Sequence, residues 1–249
     1  MATSSPHLVI FLPGILMPAG LHYERLLEAL GGGVRAIVKE LEVYRGPSVP
    51  PTGYRFETEI EGIVHAADEA GFDRFNLYGH SGGGACGLAF VARHPDRVLT
   101  LALDEPATDF SPEDLARTRD VYFPLLELPP DELLPAFART LLAPGVEPPP
   151  TPPNVPPWMV DRPLGVVAFV RAMCGARVPF ERFASFERPV SYSYGSLSDP
   201  AWELRGRRLA GAFPNFTVNR YEGLHHLNTS HIAAPERVAA ALRALWGSA

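Results

Sequence analysis

Three short stretches of this chain carry side chains that could perform acyl transfer together. Gly79-His80-Ser81-Gly82-Gly83 sets a serine among glycines, Gly195-Ser196-Leu197-Ser198-Asp199-Pro200 offers a carboxylate, and Gly223-Leu224-His225-His226-Leu227 offers two imidazoles. A serine hydroxyl is a weak nucleophile near neutral pH. It needs an imidazole within hydrogen-bond reach, and that imidazole needs an acid to fix its tautomer. The expected assignment is Ser81 as nucleophile, His226 as base and Asp199 as acid. His226 is preferred to His225 because it lies three residues beyond Gly223 and can turn back toward the sheet. Asp104 and Glu105, which end an earlier strand, stay open as rival acids. The other histidines read as bland. His80 packs or caps within the turn, His231 is a surface or packing residue, and His22, His65 and His94 fall on helices or loops without a matching partner.

A bare G-x-S-x-G pattern would arise by chance in about one chain in ten of this length, so its surroundings carry the reading. Residues 75–78 (FNLY) form a strand and 83–92 (GGACGLAFVA) a helix. The chain must turn sharply between them, which strains the serine backbone and crowds its neighbours. A tetrahedral intermediate also needs donors for its oxyanion. The Gly82 amide is one. The second comes from the turn Pro13-Gly14-Ile15-Leu16, with the Ile15 amide expected and Leu16 as the alternative.

The elements that must position these groups alternate along the chain. Strands are expected at 8–12 (LVIFL), 34–38, 75–78, 98–103 (VLTLAL), 189–194 and 216–221. Between them lie helices: 21–30 stopped by three glycines, a segment with Phe56, Ile60, Ile63, Val64 and Ala67 on one face, 82–93, 201–211, and a last one from Pro235 to Trp246. The implied fold is α/β, a mostly parallel sheet of about six strands with helices on both faces. From 107 to 188 the alternation stops, and a proline-rich stretch runs from Pro148 to Pro157. The expected organisation is a core of residues 1–106 and 189–249 with a helical cap inserted at 107–188.

Composition narrows the function classes. Apolar residues make up 46% and charged residues 20%, as in ordinary soluble enzymes. The net charge of −6 argues against a nucleic-acid partner, which needs clustered positive charge; that Lys39 is the sole lysine reads as genome composition. Cys86 and Cys174 have no partner at zinc-ligand spacing and read as reduced thiols of a cytoplasmic protein. The apolar N-terminus precedes the first basic residue, Arg25, and is broken by Pro13-Gly14, which is unlike a signal peptide. No run reaches the ~20 apolar residues a bilayer span requires.

On the motifs LPG at 12–14, GHSGG at 79–83, GSLSDP at 195–200 and GLHH at 223–226, the chain resembles the α/β-hydrolase fold family, and its capped branch in particular. Many members carry His-Gly at the oxyanion turn where this chain has Pro13-Gly14, and the strands that often precede the first conserved strand are missing. The resemblance sets aside epoxide hydrolases and haloalkane dehalogenases, which use aspartate where this chain has Ser81. It implies hydrolysis of an ester, lactone or thioester through an acyl-enzyme, with no metal or organic cofactor. The same triad could instead serve carbon–carbon bond hydrolysis, lyase chemistry or acyl transfer, and a non-enzymatic ligand receptor is the remaining class. Large apolar side chains from Tyr122 to Phe183 point to a small to medium apolar acyl substrate.

Overall fold

In the computed structural model, which describes residues 6–150 and 154–248, six strands form one parallel sheet. They are β1 (His7–Leu12), β2 (Val34–Val38), β3 (Phe75–His80), β4 (Val98–Asp104), β5 (Val190–Gly195) and β6 (Phe216–Tyr221). Their spatial order is β2-β1-β3-β4-β5-β6. The helices are α1 (Ala19–Leu30), α2 (Phe56–Glu69), α3 (Gly82–Arg93), α4 (Pro112–Tyr122), α5 (Pro130–Thr140), α6 (Arg162–Gly175), α7 (Ala201–Ala212), the short α8 (Ser230–Ala233) and α9 (Pro235–Trp246).

The sheet is buried on both faces because its central strands β1, β3 and β4 are mostly apolar, and their side chains divide by strand parity. Val9, Phe11, Tyr78 and Ala102 pack with Tyr23 and Leu26 of α1 and Val238, Leu242 and Trp246 of α9. Ile10, Leu12, Leu77, Leu101 and Leu103 face the other way, into a larger core with α2, α3 and α7. The edge strands β2 and β6 alternate instead with exposed residues. Pro235 stands in the first turn of α9, where its missing N–H costs nothing.

The segment between β4 and β5 holds α4, α5 and α6. Tyr122, Phe137, Val166, Phe169, Val170 and Met173 join the larger core rather than forming one of their own. Ionic contacts staple α4 to α7. Buried Asp114 accepts from Arg205 Nε at 2.9 Å and from Arg208 at 2.9 Å, and Asp109 takes a further bond from Arg208. Pairing on this scale is what allows such charges to be buried. Part of the proline-rich stretch, 151–153, lies outside the described residues.

The chain runs outward from β1 to β2 and then returns to β3, so the direction of winding reverses beside β1. Crevices at the carboxyl ends of strands next to such a reversal are where α/β folds place their sites. The segments after β1, β3, β4, β5 and β6 all open onto this edge.

Candidate active site

Ser81 follows β3 directly and precedes α3, with φ 52° and ψ −118°. A side-chain-bearing residue holds that conformation only when its surroundings force it. Here the Ser81 amide donates to the Asp104 carbonyl at 3.0 Å, and its carbonyl accepts from Ala85 and Ala107. The turn is also too tight for side chains beside it. A Cβ at Gly79 would lie 2.5 Å from the Gly83 carbonyl oxygen, and one at Gly83 would overlap the backbone of Leu12. The Gly83 amide donates to the Pro13 carbonyl at 3.0 Å, tying this bend to the turn after β1.

The geometry joins Ser81 and His226 as expected: Oγ and Nε2 are 2.9 Å apart. Neither His225 ring nitrogen enters that line; its Nδ1 accepts from the Leu227 and Asn228 amides and closes the loop after β6. Trp202 stacks on the His226 ring, with centroids 4.5 Å apart and planes 26° apart, and fixes its plane.

The acid is corrected. His226 Nδ1 lies 2.7 Å from Glu105 Oε2, not against Asp199. Asp199 Oδ1 instead accepts from Arg117 at 2.7 Å and from the Ala201 amide at 2.8 Å, as the turn residue that starts α7. Glu105 takes the central place because β4 ends one residue earlier and the chain then adopts φ 47°. Its amide donates to Ser193 O at 2.9 Å, and its second oxygen accepts from the Gly195 amide at 2.7 Å and the Ser198 hydroxyl at 2.5 Å. The GSLSDP loop thus contributes its backbone and Ser198, not its aspartate. Three donors thus converge on this buried carboxylate and hold it in place against the His226 ring.

The two expected oxyanion donors face the same region. Ile15 and Ser81 line one cavity, and a Cβ on Gly82 would lie 2.5 Å from Ile15 Cγ2. Among the described residues neither the Ile15 nor the Gly82 amide donates a hydrogen bond. The Gly82 amide is one of the unpaired N–H groups of the α3 N-terminus, where negative charge is favoured. The cavity is otherwise walled by Ala107, Tyr122, Phe137, Leu141, Phe169, Val170, Met173 and Trp202. Its volume is about 10 Å³, room for about one water.

Behind the serine lies a group of buried histidines: His80 and His231 pack there, and His22 has a partner that the sequence reading did not give it. His22 Nε2 meets His80 Nδ1 at 3.0 Å, and His80 lies against the His226 ring with centroids 4.7 Å apart. His231, fully buried, pairs with Asp104 at 2.9 Å and with Thr229 at 3.0 Å. Asp104 also accepts from Tyr78, Ser193 and Ser230. Burial raises the Asp104 pKa, but His231 and the hydroxyls outweigh it and hold the carboxyl below its usual value. Burial pushes His22 and His80 well below the ordinary imidazole value, so both are neutral near pH 7. Two sets of side chains in this region each bring possible metal-ligand atoms within 4.8 Å of one another: His22, His80 and His231, and His80, Glu105 and His226. The hydrogen bonds just described already engage the His22–His80 pair and both His231 nitrogens. Cys86 and Cys174 are buried free thiols. No helix among the described residues is long and apolar enough to cross a membrane.

A parallel sheet with a serine on a strained strand-to-helix bend, and an imidazole arriving from the loop after the last strand, defines a class of protein. The chain belongs to the α/β-hydrolase fold family, whose family model matches residues 8–145. It is 29% identical over 107 residues to a Mycobacterium phage D29 protein that bears, provisionally, a non-heme haloperoxidase name; the match covers 43% of this chain and 38% of that protein. It is 32% identical over 92 residues to a fluoroacetate dehalogenase of a Burkholderia species, covering 34% of this chain and 30% of the relative. The matches thus span less than two fifths of either relative's length. A thermophilic esterase from Thermogutta terrifontis superposes with a TM-score of 0.72 over 97% of this chain and 89% of its own, at 21% identity, a likeness of fold.

Proposed function

We propose that the protein is a serine hydrolase that cleaves an ester, lactone or thioester through an acyl-enzyme on Ser81. The observation that carries this is the continuous line from Glu105 Oε2 to His226 Nδ1 (2.7 Å) and from His226 Nε2 to Ser81 Oγ (2.9 Å). With the carboxylate accepting from Nδ1–H, Nε2 is left free to accept the serine proton. Oγ attacks the carbonyl carbon while Nε2 takes its proton. The resulting oxyanion sits between the Gly82 and Ile15 amides. As the tetrahedral adduct collapses, His226 returns the proton to the leaving oxygen or sulfur. Water deprotonated by the same imidazole then releases the acid and restores Ser81. The serine supports this outcome over carboxylate-nucleophile chemistry of the dehalogenase kind.

The cavity wall supports an apolar acyl group of small to medium size. Its size also means that Ser81 is roofed. Residues 107–188 are therefore proposed as a cap, with α5 and α6 shifting to admit substrate. The test is a series of p-nitrophenyl esters from acetate to octanoate, with wild type against Ser81→Ala. Turnover that peaks at short to medium chains and vanishes in Ser81→Ala is expected. No turnover of any ester, with apolar carboxylates still raising the melting temperature, would overturn the hydrolase reading in favour of a receptor.

A further inference from the structure

The oxyanion turn is held from behind by two residues that the triad does not use. Tyr44, between β2 and α2, donates its hydroxyl to the Ile15 carbonyl at 2.8 Å. Arg162, the first residue of α6, places a guanidinium nitrogen 3.4 Å from the same carbonyl. The guanidinium carbon lies over the Tyr44 ring, 3.8 Å from its centroid, within the range of a cation–π contact. Its nearest counter-ion is Glu40 at 3.6 Å, and Glu40 itself is turned to the Ala19 and Leu41 amides. Arg162 is 4% exposed, and its Nε has no partner among the described residues. A buried cation held this loosely is costly unless its position serves something. The fit of α6 on Tyr44 is close: a Cβ at Gly165 would lie 2.0 Å from Tyr44 Cε1, so the helix can approach this far only because that position is glycine. Burial also raises the Tyr44 phenol pKa, so it remains a donor across the physiological range.

The same helix that begins with Arg162 supplies Phe169, Val170 and Met173 to the wall over Ser81. A movement of α6 as one body that admits an acyl group would therefore also draw Arg162 off the Ile15 carbonyl. Fixing that carbonyl fixes the Ile15–Leu16 peptide plane, which carries the Leu16 N–H, and so anchors one side of the turn on which the Ile15 amide stands.

We infer that Tyr44 and Arg162 are positioning residues that couple the seating of α6 to the order of the oxyanion turn, so that the transition-state donor is complete only when the roof is closed over substrate. The inference rests on the serine-hydrolase reading above. Binding energy from the acyl chain, spent on seating α6, would thereby be converted into rate.

The test uses Tyr44→Phe, which removes one oxygen, together with Arg162→Lys and Arg162→Met. Rates with p-nitrophenyl butyrate are normalised to the fraction of protein that a fluorophosphonate labels. Removing an oxyanion donor outright costs about 10²–10³ in kcat, and loosening one should cost less. Tyr44→Phe is expected to lower kcat roughly 10- to 100-fold with KM changed less than about threefold, and to weaken butylboronic acid, which mimics the tetrahedral adduct, by the same factor. Arg162→Lys should fall between wild type and Arg162→Met. A merely structural role would lower the labelled fraction and leave kcat per labelled site and boronic acid affinity unchanged; that result in Tyr44→Phe overturns the inference. If the Arg162 variants fail to fold, the Tyr44→Phe comparison decides alone. Ser81→Ala in parallel separates the two failures. Loss of turnover there beside an unaffected Tyr44→Phe sinks only the positioning role, whereas undiminished turnover sinks the parent reading as well.

Discussion

Replacing Glu105 by Gln should disable the protein through a tautomer, not through a lost fold. Glu105 receives three donors: His226 Nδ1 on one oxygen, and the Gly195 amide and Ser198 hydroxyl on the other. A glutamine of the same shape has one acceptor oxygen and one NH2. The Gly195 N–H is backbone and cannot become an acceptor, so the glutamine oxygen must turn toward it. The NH2 then faces His226, which can receive it only as the tautomer protonated on Nε2. That tautomer points a proton at Ser81 and cannot take one. The expected loss in kcat is on the order of 10⁴-fold, the scale seen when a triad acid is made neutral, equivalent to about 5–6 kcal/mol of barrier. Asp199→Asn breaks only a bridge to half-exposed Arg117, worth under about 1 kcal/mol, and should leave kcat within about twofold. The assay is steady-state ester hydrolysis, with circular dichroism melts to show both variants folded. A larger loss from Asp199→Asn than from Glu105→Gln would refute the reasoning.

Stability should fall on acidification because His22 and His80 are buried neutral. Their folded pKa values lie well below the ordinary 6.5, so below about pH 6.5 the unfolded chain binds more protons and the folded state loses ground as pH drops. Wild type should therefore lose stability to urea between pH 7.5 and 5.5, and His22→Gln should flatten that drop; a variant with the same slope as wild type would contradict the account. Asp114→Asn leaves buried Arg205 without its carboxylate and should destabilise by about 3–5 kcal/mol. A urea midpoint indistinguishable from wild type would show that the staple between α4 and α7 contributes nothing.

Much of this was legible before any coordinates. The apolar runs at 8–12 and 98–103 could only be strands buried on both faces, and the helical spacings between them forced a covered parallel sheet. Ser81 and His226 were legible because each sits at a strand end marked by glycine. The acid was not, because Asp199 satisfies the turn rules of an aspartate before proline as well as those of a triad member. Strand parity carried an unused signal. Asp104 shares its face with Ala102 and so turns to Tyr78 and His231, which leaves Glu105 to look toward the serine. His22 and His231 were read as bland because their partners lie 58 and 127 residues away in sequence, with no local pattern to announce them. Tyr44 and Arg162 were silent for the same reason.

The most direct measurement is where a fluorophosphonate attaches. Mass spectrometry of the labelled, digested protein should find the adduct on Ser81, with no labelling in Ser81→Ala and a labelling rate reduced at least a hundredfold in His226→Ala. An adduct on another residue, or equal labelling with and without the Ser81 hydroxyl, would contradict the claim that Glu105, His226 and Ser81 act as one nucleophilic unit.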